Sequence, residues 1–297
     1  MSKQGPTNLP AFFNSAADFQ AWVSGLHTML GAAGMAQTGD TGQINPSSVA
    51  APTTSNQPMG FEIWRFSDTL QSSVPIYIKF EYGSGAPDGS GRAPGLWMTV
   101  GSGTNGSGTL TGQISQRANV SSAQVKSAGV TLPTYVCQSS DGGDLMIASN
   151  IDIASSQFGM AFFLSRTRDQ NGVCTNDGVI FSMLNTNIIQ CQTQFISATG
   201  SFGGPGTNFP AVNPTFFGRS TGGENADVCP ALMPIGGAWR YAKILVTASG
   251  DFGAGGVFTT TLFGTTHTFL ALAGSCGTPS AVSQNNGSNP GFAMSWE

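Results

Sequence analysis

Residues 76–82 read Ile-Tyr-Ile-Lys-Phe-Glu-Tyr, and this stretch decides the fold class. Large apolar or aromatic side chains recur at every second position, with Lys79 and Glu81 between them. Because successive side chains of a strand point to opposite faces, this alternation predicts a β-strand with one face on a core and the other toward solvent or a neighbour.

Working outward from this strand, the same period or short apolar runs between glycine- and serine-rich turns recur along the chain. They predict further strands at residues 61–66, 96–100, 131–137, 145–148, 158–165, 179–184, 188–195, 239–247, 257–263 and 266–272, and a terminal strand at 292–296. The last two of the internal strands adjoin a tight hairpin at Gly264-Thr265, with glycine as its first turn residue. Many short strands without a βαβ rhythm predict a mainly β fold, an antiparallel β-sandwich or jelly-roll-like domain spanning residues 58–297.

One amphipathic helix is predicted ahead of the strands, from Ser15 to Ala33, with Asn14 or Ser15 as its cap and Gly34 as its stop. Its apolar face allows two interpretations: the helix packs on its own domain, or two short heptads meet other copies around an axis. The residues that would anchor such an oligomer are Phe19, Trp22, Leu26 and Met29.

The segment between helix and strands, residues 35–60, lacks periodicity and is rich in Pro, Ser, Thr, Ala and Asn. We interpret it as an extended arm or linker. The expected organisation is therefore residues 1–57 for attachment or oligomerisation and residues 58–297 for the β domain. Deleting residues 1–57 is then expected to leave a folded domain that no longer joins its assembly.

Charge is the most unusual feature of the composition. Only 9% of the residues are Asp, Glu, Lys or Arg, while 41 of the 297 are Gly, against roughly a quarter charged in ordinary soluble proteins. An uncharged polar surface favours packing against copies of the same chain, and sparse titratable groups argue against an enzyme. The net charge of -4 removes the basis for nucleic-acid binding. We expect neither a cofactor nor a metal site.

The N-terminal residues lack the basic and apolar regions of a secretory signal, and no stretch has the length of a membrane span. We therefore expect synthesis in a cytoplasm, no export and no membrane insertion. The five cysteines have irregular spacing without a C-x-x-C pair, so buried free thiols are the expectation.

Several motifs have simple structural interpretations. Gly101, Gly103 and Gly106 match G-x-G-x-x-G after a strand, but strand-like residues follow in place of a helix, which favours a glycine-rich hairpin loop. Surface or strand-packing roles are expected for His27 and His267, since no nucleophile motif accompanies them. Carboxylates for glycoside hydrolysis are conceivable among Glu62, Glu81, Asp152, Asp169, Asp177 and Glu224, but the sequence does not pair them.

Two long glycine- and proline-rich connections, residues 197–214 and 218–237, interrupt the strands and are candidate contact surfaces. Uncharged loops rich in Phe and Asn suit sugar stacking and hydrogen bonding as well as interface packing. The alternative function is therefore binding of host-surface glycans, with or without polysaccharide cleavage. The candidate contact residues are Phe209, Asn213, Phe216, Phe217 and Asn225.

Several stretches of the first third carry a family likeness. They are QTGDTGQINP (37–46), GFEIWRF (60–66), DTLQ (68–71), VPIYIKFEYG (74–83) and PGLWMTVG (94–101). Over these stretches the chain resembles virion structural proteins of tailed bacteriophages. The resemblance implies a place in the virion (tail, neck or capsid exterior), synthesis in the host cytoplasm, and self-assembly, with a trimer as one form. It implies packing against other virion proteins and transfers no catalytic residues.

Overall fold

The computed structural model describes residues 2–85, 91–112, 115, 117–119, 128–139, 143–149, 160–185, 189–196, 220–222, 226–235, 238–247, 255–262, 264–271 and 291–297. In this part of the chain the helix is α1 (Ala16–Ala32). The first strands are β1 (Ser2–Pro10), β2 (Ala36–Gln37), β3 (Pro58–Arg65), β4 (Tyr77–Ser84), β5 (Pro94–Gly101), β6 (Gly103–Thr104), β7 (Leu110–Thr111), β8 (Ala118–Asn119), β9 (Thr131–Gln138) and β10 (Asp144–Ser149). The later strands are β11 (Met160–Arg168), β12 (Cys174–Asn185), β13 (Ile189–Ile196), β14 (Ser220–Gly222), β15 (Ala226–Ile235), β16 (Ala238–Thr247), β17 (Val257–Leu262), β18 (Thr265–Ala271) and β19 (Gly291–Ser295).

The strands form antiparallel sheets. A five-stranded sheet has the order β2-β3-β4-β5-β8, and β6 and β7 form a small hairpin beside it. A twelve-stranded sheet has the order β1-β9-β10-β11-β16-β19-β18-β17, with β12 and β13 joined to β11 and with β14 and β15 joined to β16. The predicted mainly β fold with an N-terminal helix is confirmed.

The strand that opened the sequence analysis is β4, at the centre of the five-stranded sheet. Ile78, Phe80 and Tyr82 are 0% exposed, whereas Lys79 and Glu81 are half-buried on the opposite face. The predicted alternation between core and outer face is confirmed.

The helix begins and ends where its capping residues dictate. Ser15 and Asp18 form a capping box, in which each side chain accepts a hydrogen bond from the other's backbone N–H. Gly34, with φ +97°, follows the helix in the left-handed region that glycine adopts without strain. Both boundaries agree with the sequence prediction.

The helix and the two sheets share one hydrophobic core. The ring of Trp22 on α1 packs edge-on against Tyr82 of β4 with centroids 5.9 Å apart. Phe80 of the five-stranded sheet meets Phe162 of the large sheet, also edge-on, at 6.1 Å. Burial against both sheets therefore fixes the helix in place.

The anchor face of the helix requires a correction. Its four predicted oligomerisation residues are 0 to 4% exposed within this chain: Phe19, Trp22, Leu26 and Met29. A face covered by the chain's own sheets is not available to a neighbouring copy, so the alternative interpretation, packing on its own domain, describes the structure.

The separation of an N-terminal attachment segment is corrected by the same core. Strand β1 pairs antiparallel with β9 and forms an edge of the large sheet. Residues 35–60 also pack inward, since Met35 is 5% exposed and Ile44 and Met59 contact the core. Residues 1–57 therefore supply a strand, a helix and core side chains to the β fold, which the interpretation as an arm missed.

Two details near the C-terminal strands also differ from the prediction. The connection expected at residues 218–237 contains β14 and the ten-residue β15. In the β17–β18 hairpin, Leu262 pairs with Thr265, so glycine is the second loop residue and not the first.

The outer edge formed by β1 has an irregular backbone. Its register with β9 shifts between Gln4 and Thr7. The strand also contains Pro6 and Pro10, which carry no backbone N–H. Such features are typical of edge strands that resist further pairing.

Candidate functional site

Several charged side chains lie inside the part of the fold that the structure describes. Among those whose exposure the structure describes, six are buried: Asp40, Glu62, Asp144, Arg166, Arg168 and Lys243. Four are exposed, and all of these are basic: Lys3, Arg65, Arg92 and Arg117. Because buried ions require partners, these six side chains are expected to lie in clusters of hydrogen bonds and ion pairs.

The first cluster surrounds Glu62 of β3, which is 0% exposed. Its Oε1 lies 2.6 Å from His27 Nδ1, and Gln37 Nε2 donates to the same oxygen at 3.4 Å. Its Oε2 accepts hydrogen bonds from Tyr82 at 2.7 Å and from the Trp64 indole at 3.1 Å. The carboxylate therefore has partners on both oxygens.

The Glu62 cluster fixes the side chains around it. Burial, together with the adjacent charge of Glu62, raises the pKa of the Tyr82 phenol well above its usual value. Tyr82 therefore remains a hydrogen-bond donor. The His27 side chain is 37% exposed, so α1 is joined to β3 through an imidazole that also reaches the surface.

The second cluster, which we call the joint cluster, consists of Asp144, Arg168, Lys243, His267 and Glu297. The Asp144 carboxylate receives two hydrogen bonds from the Arg168 guanidinium, at 3.1 and 2.8 Å, and one from the Ser165 hydroxyl. Lys243 Nζ lies 3.8 Å from Asp144 Oδ2. The two hydrogen bonds between Arg168 and Asp144 match the planar geometry of the guanidinium and hold β10 against β11.

Glu297 connects the rest of the joint cluster. Its Oε1 lies 2.6 Å from both Lys243 Nζ and His267 Nδ1, while the backbone N–H of Thr268 donates to Oε2 at 3.2 Å. Burial alone would raise the pKa of this carboxyl. The contacts with His267 and Lys243 outweigh burial and lower the pKa of Glu297 to about 2. Glu297 is therefore ionised at neutral pH.

Both histidines of the chain place Nδ1 against a glutamate, His27 against Glu62 and His267 against Glu297. A carboxylate at Nδ1 orients an imidazole, as in many catalytic and metal sites. His267 Nε2 is buried without a hydrogen-bond partner, however, and the ring is 8% exposed. The pair of His267 and Glu297 is therefore largely shielded from solvent.

A third buried carboxylate, Asp40, holds the glycine-rich loop. It accepts hydrogen bonds from the hydroxyls of Thr38 and Thr104 and from the backbone N–H of Gly108. Burial raises the pKa of Asp40, but these donors outweigh burial and lower the pKa overall. Strands β6 and β7 pair across the loop, which confirms the predicted hairpin interpretation of the G-x-G-x-x-G match.

A fourth buried group, the ion pair of Arg166 with Asp68, joins the two sheets. Arg166 of β11 is 0% exposed and donates to the Asp68 carboxylate, which follows β3, at 3.3 to 3.4 Å. The same guanidinium donates to the carbonyl of Val74 and lies over the Phe66 ring, 5.6 Å from its centroid. Burial raises the pKa of Asp68, opposed by the charge of Arg166.

The other predicted site residues have diverse positions. The candidate contact residues Phe209, Asn213, Phe216, Phe217 and Asn225 lie outside the described residues. Of the candidate carboxylates, Glu62 faces the core, Glu81 contacts Arg117 on the opposite face, and Asp169 caps its own turn. The structure does not bring these three together as a catalytic pair.

The sequence analysis missed the joint cluster. A usable signal was nevertheless present, because Arg166 and Arg168 continue an apolar strand after Phe162 and Leu164, at positions on one face. Lys243 likewise interrupts an apolar strand. Charged residues at core positions of a charge-poor chain indicate buried ion pairs.

No protein-family model, curated protein or solved structure matches the chain. In the part of the chain that the structure describes, no three His, Cys, Asp or Glu side chains are grouped to hold a metal ion. Within the same residues, no helix has both the length and the apolar character required to cross a membrane.

Proposed function

We propose that the protein is a non-enzymatic structural component of a tailed-bacteriophage particle, in the tail, the neck or the capsid exterior. There it self-assembles and packs against other virion proteins. The observation that carries the proposal is the placement of charge: among the described residues, Arg166 and Arg168 are buried and each is ion-paired with an aspartate inside the fold. Interfaces can then form between uncharged polar surfaces without the cost of desolvating unpaired ions.

The interior clusters support a structural role. Asp144 with Arg168, and Asp68 with Arg166, join strands or sheets, and Asp40 holds a loop. Each carboxylate has its hydrogen-bonding capacity used by the fold itself. A general acid or base would need to reach a substrate.

We infer further that the five-stranded and large sheets pack as an antiparallel β-sandwich. The contact of Phe80 with Phe162 and the shared core support this arrangement. A sandwich of this kind suits a repeated subunit, and the resemblance of residues 37–101 to virion structural proteins suggests the kind of particle.

Two measurements test the proposal together. Light scattering coupled to size exclusion, over a wide concentration range, is expected to give a mass above that of the 30.6 kDa chain. Gold-labelled antibodies are expected to decorate intact particles in electron micrographs. A protein that stays monomeric at the highest concentration and is absent from purified particles would refute the proposal.

The alternative function that the sequence suggests is binding of host-surface glycans. Its candidate contact residues lie outside the described residues, so this alternative depends on the sequence alone. A glycan array and an assay for reducing-sugar release from host polysaccharide separate the two functions. Binding or release that is lost on substitution of Phe216 or Phe217 would favour the alternative.

A further inference from the structure

The large sheet consists of two β units that meet at a narrow joint. Strands β1 and β9 to β13 form the first unit, and β14 to β19 form the second. Among the described residues, the units share one backbone pair, Arg168 of β11 with Tyr241 of β16. A single pair contributes little stability, so side-chain contacts must hold the units together.

Trp296, which follows β19, lies between the units. Its backbone N–H donates to the carbonyl of Thr268 in β18, at 2.9 Å. Its ring packs edge-on against Tyr135 of β9 with centroids 5.7 Å apart, and Lys3 Nζ of β1 lies 6.0 Å from the ring centroid. The residue therefore binds β18 through its backbone and the first unit through its ring.

Glu297 bridges the same joint. Its carboxylate contacts Lys243 and His267 of the second unit, while its backbone oxygen accepts a hydrogen bond from Cys137 Sγ of β9, at 3.5 Å. Lys243, held by Glu297, in turn lies near Asp144 of the first unit. The joint cluster thus depends on Glu297 as its connection.

We propose that Trp296 and Glu297 form a latch between the two β units, and that release of this latch lets the units separate locally while each keeps its own sheet. Each unit has its own strand ladders and its own apolar cluster, the second built from Phe258, Leu262, Phe269 and Ala293. Opening would expose the face of β9 that carries Tyr135 and Cys137. The proposal does not depend on the particle role proposed above.

Cys137 serves as a built-in reporter of the latch. It is 2% exposed, and burial raises the pKa of its thiol to about 12, so it reacts slowly with alkylating agents while the latch is closed. Cys174 lies in the same unit but is half-buried at the start of β12. It pairs with Arg168 of the joint cluster, so its labelling is recorded but is not used as a control.

The test compares alkylation by iodoacetamide, followed peptide by peptide with mass spectrometry, in Trp296→Ala, Glu297→Gln and a Glu81→Gln control. Both latch variants are expected to accelerate labelling of Cys137 about tenfold or more, because local opening becomes more frequent. Hydrogen exchange of β3 to β5 is expected to stay unchanged. The accelerated rate should depend weakly on low urea concentrations, since local opening exposes little surface.

Either of two results would overturn the proposal. One is an unchanged rate at Cys137 in both latch variants. The other is acceleration that accompanies faster amide exchange in β4 and rises steeply with urea, which marks global unfolding. If Trp296→Ala does not fold, Tyr135→Leu removes the same ring contact from the first unit and must give the same acceleration.

Discussion

Replacing Glu297 by glutamine is expected to reduce the free energy of unfolding by about 3 kcal/mol at pH 7. The side chain is 16% exposed, and contacts with His267 and Lys243 lower its pKa from 4.5 to about 2. A tenfold change in an acid dissociation constant is worth about 1.4 kcal/mol, and the difference between those two values gives the estimate. The neutral amide keeps the shape of the side chain but loses this stabilisation.

The same reasoning fixes the pH dependence. Since the pKa of Glu297 is lower in the folded state, its contribution is present above pH 4.5 and is lost as the pH falls toward 2. The difference between wild type and Glu297→Gln is therefore expected to shrink to about 1 kcal/mol at pH 3. Comparing the two proteins at each pH removes the contributions of the other carboxylates.

Urea unfolding followed by tryptophan fluorescence, at several values between pH 7 and pH 3, measures this difference. The matched control is Glu81→Gln, whose carboxylate is half-buried but pairs with the exposed guanidinium of Arg117, and this pair is expected to contribute less than about 1 kcal/mol. A Glu297→Gln effect no larger than the control at pH 7, or one that does not change with pH, would refute the reasoning.

Three further predictions concern stability in urea. Gly108→Ala is expected to reduce the free energy of unfolding by about 2 kcal/mol more than Gly106→Ala. Both glycines have positive φ, so the backbone strain is common to the two variants. A Cβ on Gly108 would lie 2.2 Å from the Phe61 ring, whereas a Cβ on Gly106 meets nothing within 4 Å. Equal losses would mean that the ring moves aside freely. Trp22→Ala is expected to cost about 4 kcal/mol and to lower the midpoint of unfolding, because the side chain is 3% exposed in the chain's own core. A loss below about 1 kcal/mol would contradict this burial and would favour the interpretation of the helix as an intermolecular anchor. Tyr82→Phe is expected to cost about 2 kcal/mol by removing a hydrogen-bond donor from buried Glu62, and a neutral effect would show that this hydrogen bond does not stabilise the fold.

Much of the fold follows from local patterns in the sequence. The alternation in residues 76–82 predicts β4, and the cap formed by Ser15 predicts the start of α1. Both signals lie within a few residues of the element that they predict, so the sequence alone reveals them. Strand β1 was missed, since residues 2–10 contain two prolines and little apolar character, and their extended form depends on pairing with β9. Strand β15 was hidden in the same way by Pro230 and Pro234.

The interior clusters depend on contacts that sequence spacing does not reveal. Asp144 and Arg168 are brought together by strand register, and Glu297 meets His267 because β18 and β19 are neighbours. The anchor hypothesis for Phe19 and Trp22 failed for a related reason. An apolar helix face predicts burial but does not identify the surface that covers it.

The irregular edge at β1 has a consequence for how copies could join. A second chain approaching this edge meets two imino acids and a displaced register, so the hydrogen-bonded ladder cannot simply continue from one molecule into the next. An array that grows through side-chain surfaces or through another edge strand, such as β17, does not meet this obstacle. The protein should therefore not elongate into cross-β fibres from the β1 side.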